Sequence, residues 1–245
     1  MCYYNSLKIP PKKKIKLKRK EKEIPPVDIQ VQSGFNYASW PIIIEDNAGG
    51  WQPQLAHWEF IPWFIQHIGE LEDSRKKYTT LNATAEKLFE SKLYQAAAKA
   101  RRCLVLSTGF YEWRHFKGAD DKKPIAYPYF IHSANKEEPL FYMAGIWQPW
   151  TDKLSGEMIH SFAIVTTQAN GLMQKIHNTK KRMPTILPPE LAEEWIGPLR
   201  ENRIKELATY QLPDVALSAH TIAKDFNRGI TNPQEAVNYT NLPPL

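Results

Sequence analysis

The chain has 245 residues, 42% hydrophobic and 24% charged, with a formal charge of +6. That length carries one large domain or two small ones with a sizeable core. The composition is that of a soluble globular protein, and no apolar run approaches the roughly 20 residues that cross a bilayer. Cys2 and Cys103 are too few for a disulfide framework or a cysteine zinc site, and the seven histidines are scattered without ligand spacing. No metal and no cofactor is expected. No apolar leader is present, so a cytoplasmic, reduced environment is expected.

The chain opens Met1-Cys2-Tyr3-Tyr4-Asn5. Cys2 is either an incidental second residue or, with Met1 removed, an α-amine and a thiol on adjacent carbons. Their ordinary pKa values, about 8 and about 8.5, leave both partly nucleophilic at neutral pH. Such an aminothiol condenses with aldehydes to a five-membered thiazolidine. Residues 12–20 then place Lys12, Lys13, Lys14, Lys16, Lys18, Arg19 and Lys20 in one run. It reads as a solvated loop spanning 11–23 or as an arm that tracks phosphates.

A short strand is expected at 42–44, followed by the turn signal Asn47-Ala48-Gly49-Gly50. The aromatic stretch 58–64 includes Trp58 and Trp63, rings that serve either as core or as stacking surfaces for nucleobases. The apolar spacing of Ala85, Leu88, Phe89, Leu93, Ala96, Ala97 and Ala100 predicts a helix over 82–100 with Asn82 as its N-cap. A buried strand from Cys103 leads through Gly109 to Phe110-Tyr111-Glu112-Trp113. Burial of Glu112 among these rings raises its pKa and suits it to general-acid work, whereas a solvent-facing strand end leaves it ordinary. Strands are expected at 127–132, 140–147 and 161–167, with helices at 169–176 and 191–196. His177 ends the first of these helices and is followed by Lys180, Lys181 and Arg182, a cationic edge suited to phosphate. Strands and helices mix without a regular βαβ beat, which indicates an α+β fold.

Taken in order, Met1-Cys2, Trp58-Glu59-Phe60-Ile61-Pro62-Trp63, Asn82-Ala83-Thr84-Ala85-Glu86, Gly109-Phe110-Tyr111-Glu112-Trp113, Ala144-Gly145-Ile146-Trp147, Thr166-Thr167 and His177 with Arg182-Met183-Pro184 resemble the SRAP family, the SOS response-associated peptidases understood as abasic-site-crosslinking proteins. The resemblance implies a single α+β domain over 1–235 with a β-barrel-like core and peripheral helices; the tail at 236–245, with Pro243-Pro244, reads as disordered. It implies Cys2 as covalent nucleophile, Asn82 holding the terminus and the sugar, Glu112 as acid/base and His177 assisting. The implied partner is single-stranded DNA with an abasic site, contacted through Trp58, Trp63, Lys180, Lys181, Arg182 and the run at Lys12, Lys13 and Lys14. A monomer, nucleoid-associated when on DNA, is the default. Four departures stand out: Tyr4 and Thr84 where members carry Arg, Glu59 where they carry Gly, and three extra residues between His177 and Arg182. Two other functions fit the same residues, a cysteine peptidase acting on its own Met1 and a non-catalytic binder of single-stranded nucleic acid.

Overall fold

In the computed structural model of the chain, which describes residues 2–230 and 232–245, the apolar run Ile42-Ile43-Ile44 is one stave of a closed ring. The elements in order are β1 Tyr4–Ile9, β2 Lys14–Leu17, β3 Lys20–Glu23, β4 Val27–Ser33, β5 Ser39–Glu45, β6 Trp51–Trp58, α1 Leu71–Lys77, β7 Asn82–Thr84, α2 Gln95–Ala100, β8 Arg102–Ser107, β9 Gly109–Phe116, β10 Ile125–Ser133, β11 Phe141–Thr151, β12 Met158–Gln168, α3 Gly171–Ile176, β13 Arg182–Pro184, β14 Ile186–Leu187, α4 Pro189–Trp195, α5 Glu201–Ala208 and β15 Leu217–Thr221.

β5 pairs with β6 and β8, β8 with β11, and β11 with β12, all antiparallel. A parallel contact of β12 with β6, at Ser161–His57 and Phe162–Trp58, closes the five-stranded barrel. Closure removes the open edges of those strands. A second sheet, ordered β15-β10-β9-β1-β4, carries the chain's first strand between β9 and β4. The α+β class with a barrel core is therefore as the sequence indicates.

Every residue of β8 is buried, because one face lines the barrel and the other meets helices. Arg102 is buried there too, and its guanidinium donates to the carbonyls of Ala98, Lys99, Trp195 and Gly197 at the C-terminal ends of α2 and α4. A cation suits both helix ends.

Three expectations are corrected. The helix read over 82–100 is confined to α2. Its first three residues form β7, whose main chain pairs in parallel with Ile164–Thr166 of β12, and tertiary pairing overrides the helical spacing. Asn82 is accordingly a strand residue and caps no helix. The basic loop at 11–23 contains the hairpin β2–β3. Alternation in Lys14-Ile15-Lys16-Leu17 puts Ile15 and Leu17 on one face, where both are buried. The Trp51 indole donates to the Leu17 and Lys20 carbonyls, and Lys18 and Lys22 pair with Glu45 and Asp46. The segment read as a disordered tail lies against the second sheet. Val237 N–H donates to Thr221, Tyr239 Oη to Ile222 and Asn241 Nδ2 to the Tyr127 hydroxyl.

The barrel tolerates no side chain at Gly145. A Cβ there would stand 2.7 Å from Cys103 Sγ and 2.9 Å from Val105 Cγ2. Gly145→Ala is expected to destabilise the fold by about 1–3 kcal/mol, the usual cost of overpacking, measured as a lowered urea midpoint at unchanged slope.

Candidate active site

The site begins with the register of β1 on β9, in which Tyr4 faces Tyr111 and Asn5 faces Phe110. Side chains alternate along each strand. Tyr4, Tyr111 and Trp113 therefore share one face, where Tyr4 packs edge-on against Trp113 at 5.3 Å and Phe226 at 5.8 Å. Glu112 projects from the other face, which it shares with Tyr3. Cys2 is fully buried, and its thiol donates weakly to the Tyr4 carbonyl at 3.8 Å. Gly34 N–H donates to the Tyr3 carbonyl at 2.8 Å, and Gly34 packs on Leu81, the neighbour of Asn82.

His177 reaches the same place from α3. Asn170 caps that helix by accepting from Met173 N–H, and the Asn170 amide donates to the Leu212 carbonyl at 2.7 Å. The helix ends in His177, whose Nε2 lies 3.8 Å from Glu112 Oε2. At the far side of the ring, Nδ1 is 2.7 Å from the Arg182 carbonyl and 3.3 Å from the Arg182 N–H. One nitrogen cannot serve both. The shorter contact makes Nδ1–H the donor, and the neutral ring then turns the Nε2 lone pair toward Glu112.

Burial sets the protonation of this pair. Desolvation pushes the Glu112 carboxyl up to about 7, against the pull of the Trp113 N–H and the Lys180 charge. Desolvation, with Lys180 and His115 nearby, brings His177 down to about 4. The prevailing neutral form is thus a carboxylic acid beside a neutral imidazole. The Cys2 thiol is driven well above its usual range by burial first and by the Glu112 charge second. The thiolate fraction expected from an ordinary pKa is therefore absent in the folded chain.

Other groups follow distinct fates. Asn82 Oδ1 and Nδ2 and the Thr166 hydroxyl are buried without hydrogen-bond partners among the described residues. Buried polar atoms are nearly always bonded, so these groups are free to receive a water or another polar molecule, as is the buried Asn5 Nδ2. Thr166 was legible only as part of a Thr-Thr pair. Trp58 is a core ring, 1% exposed, stacked on Phe162 and donating to the Leu81 carbonyl, so it offers no face to a base. Trp63, by contrast, is 67% exposed beside Phe64. Glu59 is buried in a network with Arg75 at 2.6 Å and His57 at 3.2 Å, and Arg75 stacks over Tyr37 at 3.5 Å. This network ties α1 to the end of β6. Arg182 is bound bidentately by Glu86 and donates to the Thr166 carbonyl, so its charge is neutralised in place. Lys180 and Lys181 are exposed at the site's margin. Lys12, Lys13 and Lys14 lie beyond the opposite end of β1 from Cys2, a strand of six residues or about 20 Å.

Among the described residues no cluster of three or more His, Cys, Asp or Glu could hold a metal.

The pH dependence of stability should follow from Glu112. Its folded pKa lies above the unfolded value, so the native state binds the extra proton and stability falls as pH rises from about 4.5 to 7. Glu112→Gln is expected to match the wild type near pH 4 and to exceed it increasingly up to pH 7, by at most about 3 kcal/mol, then run parallel. Urea midpoints between pH 4 and 8 test this, and a pH-independent difference would contradict it.

Comparisons with known proteins agree with this architecture. The profile of the SOS response associated peptidase (SRAP) family matches residues 1–229. A crystal structure of a Bacteroides thetaiotaomicron protein superposes with a TM-score of 0.75 at 33% identity, covering 86% of this chain and 87% of that one. The abasic site processing protein YoqW of Bacillus subtilis is 32% identical over 64% of this chain and 62% of its own length. The abasic site processing protein HMCES of Xenopus tropicalis is 29% identical over 74% of this chain and 55% of its own. The matches to these two curated relatives thus span less than two thirds of each relative. A profile that covers nearly the whole chain, together with the shared fold, makes this protein a member of the SRAP family.

Proposed function

We propose that the chain processes abasic sites in single-stranded DNA, with Cys2, after Met1 is removed, forming a covalent thiazolidine with the lesion. The observation that carries this reading is the Glu112–His177 pair at 3.8 Å, with a carboxyl near 7, buried beside Cys2. Abasic-site processing in the names of the relatives supports it.

An abasic sugar is mostly a closed hemiacetal. Protonated Glu112 donates to the ring oxygen, the C1′–O4′ bond breaks, and the C1′ hydroxyl proton returns to the carboxylate, so the sugar opens to its aldehyde. The Cys2 amine adds to C1′, and loss of one water gives a Schiff base. The thiol then adds across the C=N bond. Sulfur bonds C1′ and the S–H proton ends on nitrogen, by way of Glu112 or the His177 Nε2 lone pair. A carboxyl poised near neutrality can give a proton in the first step and accept one in the last. The Asn82 amide and the Thr166 hydroxyl are offered to the sugar's hydroxyls. Ring closure consumes the imine, so strand cleavage by β-elimination is suppressed. A peptidase reading needs a ready thiolate, and burial beside Glu112 opposes one.

Single-strand binding would draw on the exposed Trp63 ring and on Lys180 and Lys181, whereas the hairpin carrying Lys12, Lys13 and Lys14 is reached only by a strand that continues along β1.

Incubation with single-stranded DNA carrying one abasic site should give a band that survives denaturation, absent in Cys2→Ala and in a form retaining Met1. A band persisting in either overturns the mechanism. Glu112→Gln should slow its formation on the order of 100-fold or more. Replacing Lys180 and Lys181 with Ala should reduce the slope of log binding constant against log salt by about 1.4, at roughly 0.7 per phosphate contact on a single strand. Replacing Lys12, Lys13 and Lys14 on an oligonucleotide too short to span β1 should leave that slope unchanged.

A further inference from the structure

The four residues between His177 and Arg182, Asn178 to Lys181, form a turn. Lys181 N–H donates to the His177 carbonyl at 2.8 Å, Ala169 N–H donates to the Lys181 carbonyl at 2.9 Å, and Lys181 takes φ 50° to close the loop. The turn is thereby closed onto both ends of α3.

Its first residue, Asn178, reaches across to β9. β1 pairs with β9 only as far as Tyr111, so among the described residues the β1-side edge of β9 has no strand partner beyond that point. At His115, Asn178 Oδ1 accepts from the main-chain N–H at 3.0 Å, and Asn178 Nδ2 donates to the main-chain carbonyl at 2.7 Å. A carboxamide presents the same donor and acceptor as a peptide unit, and here it makes the two bonds that a neighbouring strand would make. His115 is three residues along β9 from Glu112, and Asn178 directly follows His177. The amide therefore joins the two segments that carry the pair.

We propose that Asn178 is a positioning residue, its amide locking the His177 turn to β9 and so fixing the imidazole at its distance from Glu112. The inference deepens the functional reading above and rests on it for its kinetic consequence only. Among the described residues the charged and titratable side chains acting on His177 include Glu112, Lys180 and His115, and none of these side chains supplies this tether. A two-point amide clamp restrains rotation as well as distance, which single-point contacts at the turn would not.

Two measurements decide it. The His177 ring is followed by NMR in the DNA-free protein. In the wild type it should stay neutral, protonated at Nδ1, down to about pH 4. In Asn178→Ala its titration should move up toward the ordinary histidine value as the ring loosens into water. An unchanged titration and tautomer would overturn the proposal. In the wild-type chain the His115 amide should also resist hydrogen exchange, and exchange at the rate of an unstructured peptide would overturn it without any variant being made. Crosslinking kinetics then test the consequence. Asn178→Ala should slow the reaction on the order of tenfold with DNA affinity unchanged, and adding it to His177→Ala should cost nothing further. Fully additive losses would mean that Asn178 acts elsewhere. A wild-type protein that forms no crosslink would remove the functional reading, while the NMR result would still decide the role of Asn178.

Discussion

The register of β1 on β9 is the constraint from which the site follows. With Tyr4 opposite Tyr111, the residues before Tyr4 run alongside Glu112 and Trp113. A slip of one residue would reverse every side chain in β1. Tyr4 would leave its aromatic cluster, and Tyr3 would leave the face that carries Glu112. The register is strongly held, because both faces of this pair are occupied. Tyr111, Phe130, Ile222 and Phe226 form a small core on one side. On the other, the buried Asn5 side chain accepts from the Ser107 hydroxyl at 2.6 Å. The sheet thus fixes where Cys2 and Tyr3 lie relative to Glu112.

Electrostatics at the site are the result of that burial. A carboxyl and an imidazole placed in water would ionise as a salt bridge between pH 5 and 6. Here desolvation raises the one and lowers the other until the neutral pair prevails. The same low-polarity setting works against the thiol. In the proposed reaction the first attack therefore falls to the amine, with sulfur following once a proton acceptor is at hand. The pair is held from two directions, by the strand bearing Glu112 and by the turn bearing His177.

Much of this was legible in the sequence. The Ile42–Ile44 run, the Cys103–Ser107 strand and the position of Glu112 among aromatics each carry a local signal, and the structure places them as strands. The stretch 82–100 misled because its alanines and leucines have helical spacing, while the information that turns 82–84 into a strand resides in β12, 80 residues away. Lys12–Lys20 looked solvated because its charges outnumber Ile15 and Leu17, yet those two residues and the Trp51 indole decide its fold. Trp58 and Trp63 sit in one motif and have opposite fates, since alternation at the end of β6 turns the first inward and the bend after Pro62 releases the second. Asn178 carries no pattern at all. The role proposed for it comes only from its two bonds to the main chain of His115.

The strand order of the second sheet also has a temporal side. β1 pairs with β4, about 20 to 30 residues along the chain, and with β9, about a hundred residues away. Closing the longer loop costs more conformational entropy, so β1 and β4 are expected to pair before β9 docks beside them. The surroundings of Glu112 are thus completed late in folding, on a hairpin already formed.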